Sequence, residues 1–351
     1  MALFTINNIL IRGVSAAVPN NKVETKALSV FNQEEVDTFI NTVGIKSRYM
    51  ADSNTCASDL CYHAAEKLLL DLKWKKEDIG VLIFESVTAD YRTPPTSTIL
   101  QERLGLSFNC MTMDIPMGCC GFLYGLLVAG KMLSSQTSKA IILVGDTVTR
   151  MSSPYDKSRV PLFGDCGTAI ALEYNEDAED IIMELYSHGK GAEALITPHS
   201  GFRNPVTEES FKYEDFGNGV VRSPMHSLIN GMDVFAFAIS KPPKSIVEFM
   251  DKYHLDKDKD IDYYLIHQAN KMIVDRVIKK LKIDSNKVPM NIDRFANCGG
   301  ASIPLLMVTE MSDVLGTQSL NLFVSAFGLG LTWGNAIIKT QPMLVSELLF
   351  V

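Results

Sequence analysis

Apolar residues recur with two different periods along this chain of 351 residues. Continuous apolar runs bounded by turn residues predict buried strands at Ile9–Ile11, Asp78–Phe84 and Ala140–Val144. In the segment Asp59–Leu72, apolar residues recur at every fourth position, which is typical of an amphipathic helix. Strands that alternate with helices predict an α/β protein, in which helices cover the faces of a parallel sheet.

The order of these segments is repeated. Three pairs of segments resemble each other: residues 77–84 (EDIGVLIF) and 259–266 (KDIDYYLI), residues 113–115 (MDI) and 290–292 (MNI), and residues 163–167 (FGDCG) and 327–330 (FGLG). The pairs keep their order, and their offsets drift as loop insertions would make them drift. We therefore interpret the chain as two related halves, residues 1–175 and residues 176–351.

The composition excludes several classes of protein. Hydrophobic residues make up 46% of the chain, which is enough for a sizeable core, and a net charge of −8 gives no overall attraction to nucleic acid. The most apolar segment, residues 121–130, is too short to span a bilayer. Seven cysteines, an odd number, and the lack of a secretory signal at the first residues favour reduced thiols. We expect a cytoplasmic protein without membrane insertion.

Two adjacent cysteines, Cys119 and Cys120, precede an apolar segment that predicts a central helix from Cys119 to Leu133. Neighbouring side chains diverge, which argues against a metal half-site, and a disulfide between neighbours is strained. The common role of a buried cysteine is packing. Here, however, a helix N-terminus would stabilise a thiolate, and the flanking glycines would admit a substrate. These features favour a nucleophile.

Two further polar residues, His267 and Asn297, stand at turns in the second half. His267 follows the strand equivalent to the one that ends at Phe84, and the turn of Asn297 is equivalent to the cysteine turn. Pseudo-symmetry would bring these residues and the cysteines to one crevice at the ends of strands. Taken singly, a histidine at such a position is more often a hydrogen-bonded structural residue, and the alternative role for Asn297 is to cap a turn.

Four motifs together resemble β-ketoacyl-acyl-carrier-protein synthase III. They occur in the family's order over most of the chain: GCCGF at residues 118–122, HQAN at 267–270, NCGGASIP at 297–304 and AFGLGLTWG at 326–334. The resemblance implies a thiolase-like fold, in which two pseudo-symmetric βαβαβ halves form an α-β-α-β-α sandwich, and it implies a homodimer. It also implies an enzyme without metal or cofactor, whose acyl substrates arrive on the phosphopantetheine of coenzyme A or of acyl carrier protein.

The resemblance assigns a role to each residue of the site. Cys119, two residues before the Gly-Phe pair, would carry the acyl group, and Cys120 would pack. His267 and Asn297 would stabilise the enolate formed when malonyl-acyl-carrier protein loses carbon dioxide. The backbone N–H groups of Cys119 and Leu329 would bind the acyl oxyanion. The implied reaction is a decarboxylative Claisen condensation in fatty-acid or specialised acyl metabolism.

Other positions follow from the same resemblance. Substrate binding is assigned to Phe327, Asn270, Lys157 in place of a family arginine, and Pro94 at the gate that the partner subunit contributes. Thr38, Thr42 and Met272 replace the residues that usually bind coenzyme A, which favours a donor bound to a carrier protein. Lys279 and Lys280 would then dock the acidic carrier protein, with a solvated helix face as the equal alternative.

Glu85 ends the strand equivalent to the one before His267, and Glu85-Ser86 resembles the context of the catalytic glutamate in hydroxymethylglutaryl-CoA synthases. We expect an exposed strand end here; a carboxyl that faced the crevice would be an extra acid or base. The alternative function is an acyltransferase that uses the same site to acylate an amine or hydroxyl. The intact Asn297 favours condensation, because an enolate needs two donors. The presence of Cys119 and His267 disfavours a non-catalytic scaffold.

Overall fold

A computed structural model describes residues 2–351. Its strands, in chain order, are β1 (Ala2–Ile6), β2 (Ile9–Val18), β3 (Lys22–Glu24), β4 (Ser47–Tyr49), β5 (Ile79–Glu85), β6 (Met111–Ile115), β7 (Lys139–Asp146), β8 (Cys166–Tyr174), β9 (Ile181–Ser187), β10 (Leu195–Ile196), β11 (Glu214–Asp215), β12 (Val221–Arg222), β13 (Leu228–Ile229), β14 (Tyr263–Ile266), β15 (Asn321–Gly328), β16 (Thr332–Lys339), β17 (Leu344–Val345) and β18 (Leu349–Phe350).

Ten α-helices connect these strands within residues 2–351. They are α1 (Gln33–Val43), α2 (Ala57–Leu72), α3 (Thr96–Arg103), α4 (Gly121–Met132), α5 (Gly231–Ala238), α6 (Lys241–Lys252), α7 (Lys271–Leu281), α8 (Ile292–Phe295), α9 (Ser302–Glu310) and α10 (Ser312–Thr317). None of these helices is both long and apolar enough to cross a membrane.

Two large sheets form the framework, and they share one topology. The first has the order β17-β2-β8-β7-β5-β6, and the second has the order β1-β9-β16-β15-β14. In the first sheet β5 is parallel to β7, and β7 is antiparallel to β8. In the second sheet β14 is parallel to β15, and β15 is antiparallel to β16. The strands β5 and β14 contain the first pair of repeated segments. They therefore hold equivalent places in their sheets, as the sequence repeat predicts.

Helices form three layers around the two sheets. Helix α2 packs on the outer face of the first sheet, and α6 packs on the second through β15 and β16. Helices α4 and α9 lie between the sheets, where α4 contacts β5, β7 and β1 and α9 contacts β2, β8 and β14. Burial on both sides explains why α4 is apolar almost all round. The result is the α-β-α-β-α arrangement expected from the sequence.

The structure differs from the predicted pattern in three places. The terminal strands change sheets, since β1 pairs with β9 while β17 and β18 pair with β2. The segment 290–292 forms no strand, because Asn291 precedes α8 and its backbone N–H donates to Gln268. The predicted helix start at Cys119 is a 3₁₀ turn, Gly118–Cys120, and α4 itself begins at Gly121. The division at residue 175 stays a prediction.

Candidate active site

Cys119 lies in the 3₁₀ turn where β6 ends and α4 begins. Its side chain is partly exposed, whereas the neighbouring Cys120 is fully buried. The end of β15 presses against this turn: a Cβ on Gly328 would lie 2.5 Å from the Cys119 Sγ. Only glycine at position 328 therefore lets the second sheet approach the thiol so closely.

Two cavities meet at Cys119. The first, which we call the inner chamber, has a volume of about 290 Å³, and its walls include Val87, Asp146, Met151, Arg159 and Leu329. The second, which we call the channel, has a volume of about 380 Å³, and its walls include His267, Asn270, Met272, Asn297 and Phe327. Phe163 and Leu195 belong to both walls. A group bound covalently to Cys119 can therefore occupy one cavity while a second molecule enters the other.

His267 is positioned by the parallel ladder of the second sheet. Its backbone N–H donates to the Ser325 carbonyl at 2.9 Å, directly after β14. Its ring stands edge-on to the Phe327 ring, with centroids 5.6 Å apart. Burial lowers the pKa of His267 to about 4, so the imidazole is neutral at neutral pH. Within residues 2–351 the Nδ1 atom has no hydrogen-bond partner.

Asn297 is held by hydrogen bonds of its backbone and of its side-chain amide oxygen. Its N–H donates to the Leu162 carbonyl at 3.1 Å, and its carbonyl accepts from the Gly164 N–H at 3.1 Å. The side-chain Oδ1 accepts from the Gly299 N–H at 3.0 Å. The turn-capping role considered from the sequence is therefore present, and it fixes the orientation of the amide. With Oδ1 occupied, the side of Asn297 left to the channel is its Nδ2 donor.

The protonation state of Cys119 is set mainly by burial, which raises the pKa of its thiol to about 11. The backbone N–H groups of Leu329 and of Cys119 itself oppose this rise through hydrogen bonds to the sulfur, while the charges of Asp146 and Glu85 add to it. The stabilised thiolate predicted from the helix N-terminus is thus outweighed. Cys119 is therefore a neutral thiol at neutral pH, with two backbone donors directed at its sulfur.

Glu85 is fully buried, so the expectation of an exposed strand end is wrong. Its carboxyl lies beneath the turn that carries Cys119, where Oε1 accepts from the Met117 N–H at 3.3 Å. The Glu85 carboxyl also packs tightly against the start of α4, because a Cβ on Gly121 would lie 1.8 Å from the Glu85 Cδ. Burial, and then the charge of Asp146, raise the pKa of Glu85 well above its ordinary value. Glu85 is absent from the walls of both cavities.

The remaining predicted residues fall into two groups. Phe327 and Asn270 line the channel, and Asn270 also caps α7 by accepting from the Ile273 N–H at 2.8 Å. Leu329 lines the inner chamber. In contrast, Lys157 and Pro94 line neither cavity.

Three lysines predicted to meet substrate or carrier protein lie away from the cavity walls. Lys157 forms an ion pair with Glu35 of α1 at 2.9 Å. Lys279 and Lys280 are exposed on the last turn of α7, and Lys280 donates to the Ile239 carbonyl at 3.2 Å. Their roles in binding stay predictions.

Two charged residues of the inner chamber were missed by the sequence interpretation. Asp146 ends β7, the strand next to β5, and its Oδ1 accepts from the Val87 N–H and the Ser86 hydroxyl. A search for polar residues at the ends of adjacent parallel strands would have found it. Burial raises the pKa of Asp146 to about 6. Arg159 lies in a loop without a recognisable motif, and no sequence signal marks it.

The described residues contain no cluster of three or more histidine, cysteine or acidic side chains that could hold a metal ion. The backbone N–H donors and apolar side chains around Cys119 suit a covalent intermediate and its oxyanion.

The raised pKa of Cys119 predicts how alkylation of the site depends on pH. We expect the rate of Cys119 carbamidomethylation by iodoacetamide to rise about tenfold per pH unit between pH 7 and pH 9.5, since only the thiolate reacts. Mass spectrometry of tryptic peptides measures this rate, and Cys119→Ala shows the background. A plateau below pH 8 would mean that the thiol is already ionised there and would contradict the neutral resting site.

The burial of Glu85 predicts a positioning role for it. We expect Glu85→Gln, which keeps an acceptor for the Met117 N–H, to change the rate of Cys119 acylation by no more than about threefold. Gly121→Ala should displace the carboxyl and the turn and lower the free energy of unfolding by about 1–3 kcal/mol. Gly316→Ala in α10, where a Cβ meets open space, is the matched control.

A different result for Glu85→Gln would identify a proton-transfer role. Loss of turnover with unchanged stability in denaturant titrations, together with a shifted pH profile, would show that Glu85 acts as the acid or base considered from the sequence.

Comparisons with known proteins agree on one family. A family model described as 3-oxoacyl-[acyl-carrier-protein] synthase III matches residues 113–191, and the model of its C-terminal part matches residues 251–340. A putative 3-oxoacyl-[acyl-carrier-protein] synthase 3 from Campylobacter jejuni is 31% identical over 349 residues, which cover 97% of this chain and 96% of the relative. A β-ketoacyl-[acyl-carrier-protein] synthase III from Desulfitobacterium hafniense is 33% identical over 326 residues, or 90% of this chain and 95% of that protein.

A solved structure gives the same answer for the fold. The crystal structure of a 3-oxoacyl-(acyl-carrier protein) synthase from Burkholderia xenovorans superposes with a TM-score of 0.92 at 33% identity, covering 100% of this chain and 99% of the other. The thiolase-like fold expected from the motifs is thereby confirmed. On its sequence, its fold and its cysteine turn, the chain belongs to the β-ketoacyl-[acyl-carrier-protein] synthase III family.

Proposed function

We propose that this condensing enzyme joins an acyl group held on Cys119 to malonyl-acyl-carrier protein by decarboxylative Claisen condensation, giving a β-ketoacyl thioester for fatty-acid or specialised acyl metabolism. One observation carries the proposal: Cys119 stands where two cavities meet, and His267 and Asn297 line only the channel. This division provides one place for an acyl chain and another for the arm that delivers each thioester.

The first step is acyl transfer. The Cys119 Sγ attacks the thioester carbonyl of the donor, and a carbon–sulfur bond forms while the pantetheine thiol leaves with the proton that Cys119 gives up. Negative charge collects on the carbonyl oxygen in the tetrahedral intermediate. The N–H groups of Cys119 and Leu329, which already approach the sulfur, are placed to stabilise this oxyanion. The acyl chain then lies in the inner chamber.

The second step forms the carbon–carbon bond. Malonyl-acyl-carrier protein enters the emptied channel, its carboxylate leaves as carbon dioxide, and the electron pair of the broken bond makes an enolate. The neutral imidazole of His267 and the Nδ2 of Asn297 donate hydrogen bonds to the enolate oxygen. The enolate carbon attacks the acyl carbonyl, the bond between that carbon and the Cys119 Sγ breaks, and the departing thiolate takes up a proton from solvent.

The site supports simple acyl transfer less well. Transfer to an amine or hydroxyl requires a base that removes the acceptor's proton. His267, with a pKa lowered to about 4 by burial, is a weak base, and Asn297 presents a donor rather than an acceptor. Both residues are better suited to an enolate than to a nucleophile that must lose a proton.

A carrier protein is the proposed donor and acceptor of the thioesters. Helix α7 connects the channel to the surface, because Met272 lines the channel while Lys279 and Lys280 are exposed on the helix's last turn. These two lysines would meet the acidic surface of a carrier protein whose arm extends into the channel.

The homodimer also stays a prediction. The edge strand β6, with Met111 and Met113 exposed, is a surface that would suit it.

The two cysteines separate the proposed nucleophile from its neighbour. We expect intact-mass spectrometry to show an acyl adduct after incubation with acyl-CoAs and acyl-carrier proteins. This adduct should be absent in Cys119→Ala and retained in Cys120→Ala, because Cys120 is buried away from both cavities. Adding malonyl-acyl-carrier protein should release carbon dioxide as the adduct disappears. Loss of the adduct to an amine acceptor without carbon dioxide would support the acyltransferase instead.

The channel donors should affect only the second step. We expect His267→Ala and Asn297→Asp to retain Cys119 acylation and to slow condensation by about 10²–10³-fold. Asn297→Asp keeps the shape and the acceptor for the Gly299 N–H, and it replaces the Nδ2 donor with a carboxylate oxygen. Single-turnover measurements resolve the two steps. An equal loss in both steps would contradict the assignment of these donors to the enolate.

A further inference from the structure

The inner chamber contains a buried cation that the condensation itself does not use. Arg159 lies in its wall with only 2% of the residue exposed. Its Nε donates a long hydrogen bond of 3.4 Å to the Ser152 hydroxyl. Its Nη1 is buried and has no hydrogen-bond partner among residues 2–351. An unpaired guanidinium N–H in such a place is costly unless a ligand completes its hydrogen bonds.

The surroundings of Arg159 leave a positive charge unbalanced. The buried Asp156 is the carboxylate that acts on it, but Arg222 already binds the Asp156 Oδ2 at 3.2 Å. The other oxygen of Asp156 accepts from Ser158. One carboxylate therefore serves two guanidinium groups, and this cluster carries a net charge of +1. Burial lowers the pKa of the nearby His226 from its ordinary 6.5, so at neutral pH this histidine neither adds charge nor removes it.

Cys119 and Arg159 line the same chamber in different charge environments. The carboxylates of Asp146 and Glu85 act on the Cys119 thiol, whereas Asp156 and Arg222 act on Arg159. Apolar Val148 and Met151 line the chamber as well. The hydroxyls of Thr197 and Ser227 bond each other at 2.7 Å, so they compete little for a ligand.

We propose that Arg159 binds a terminal carboxylate on the acyl group, so that the acyl donor is a thioester of a dicarboxylic acid. The planar guanidinium matches a carboxylate with two parallel hydrogen bonds, and the surplus charge of the cluster favours an anion over a neutral end group. The methylene groups of the chain pack on the apolar wall. A volume of about 290 Å³ suits a short chain, since about 150 Å³ holds a molecule the size of benzene. The inference rests on the function proposed above.

Pairs of thioesters with equal chain length test this proposal. The rate of Cys119 acylation is measured by intact mass with butyryl-pantetheine against succinyl-pantetheine, and with hexanoyl-pantetheine against adipyl-pantetheine. We expect the wild-type enzyme to react about 10–100-fold faster with the carboxylate-ended member of at least one pair, as a charged hydrogen bond allows. Arg159→Met should lose this preference, so that the two members of each pair acylate Cys119 at similar rates.

Two further variants serve as controls. Arg159→Lys keeps the charge without the fork and should keep part of the preference. Arg276→Met removes an exposed arginine that lies in neither cavity wall, and it should leave both rates unchanged. Continued loading of butyryl or hexanoyl groups shows that each variant is folded.

The outcomes separate this inference from the proposed function. Loading of the methyl-ended thioesters with equal or lower rates for the carboxylate-ended ones would overturn the role of Arg159 and leave the condensation intact. Failure of every thioester to acylate Cys119 would overturn both. If Arg159→Met dissociates the protein in sedimentation velocity without changing the preference, the guanidinium serves a subunit contact, and the proposal is wrong.

Discussion

The close approach of β15 to the turn that carries Cys119 is the constraint on which the rest of the site depends. The strand reaches the thiol because residue 328 is glycine, where any Cβ would overlap the sulfur. This contact joins the two sheets at their strand ends and brings the Leu329 N–H to the Sγ. It also sets Cys119 at the junction of the inner chamber and the channel. A single packing contact thus positions the proposed nucleophile, one proposed oxyanion donor and the two cavities.

The second feature that determines the chemistry of the site is the burial of its ionisable groups. Burial keeps the Cys119 thiol and the His267 imidazole neutral, and it raises the pKa of Glu85 and of Asp146. In this environment fixed N–H dipoles act strongly on charge that appears only during reaction. A neutral histidine suits the proposed condensation, because it would donate a hydrogen bond to an enolate without losing or gaining a proton. Arg159 is the exception, since its buried Nη1 has no hydrogen-bond partner within residues 2–351.

Much of the fold and the centre of the site could be predicted from the sequence. Apolar runs located β5 and β7, and the repeated segments anticipated that β5 and β14 hold equivalent places. The motifs around Cys119, His267 and Asn297 were sufficient because each carries local turn chemistry that the sequence displays directly. Pseudo-symmetry predicted one crevice for these three residues, and all three line the channel.

The rest depended on tertiary packing that no local pattern encodes. The periodicity that identifies β5 does not show which way its last side chain points, so Glu85 was expected in solvent and lies under the nucleophile turn. Arg159 lines the inner chamber together with Leu195 and Ser227, which lie far from it in the sequence. Lys157, two residues earlier, pairs instead with Glu35. The terminal strand β1 pairs with β9 of the second sheet, and β17 and β18 pair with β2 of the first.

The central claim is that the acyl group and the thioester arm occupy different cavities on either side of Cys119. A crystal structure of the acylated enzyme tests it most directly. The account predicts the acyl chain in the inner chamber, with its carbonyl oxygen about 2.7–3.1 Å from the backbone nitrogens of Cys119 and Leu329. An acyl chain that extends into the channel beside His267 and Asn297 would contradict it.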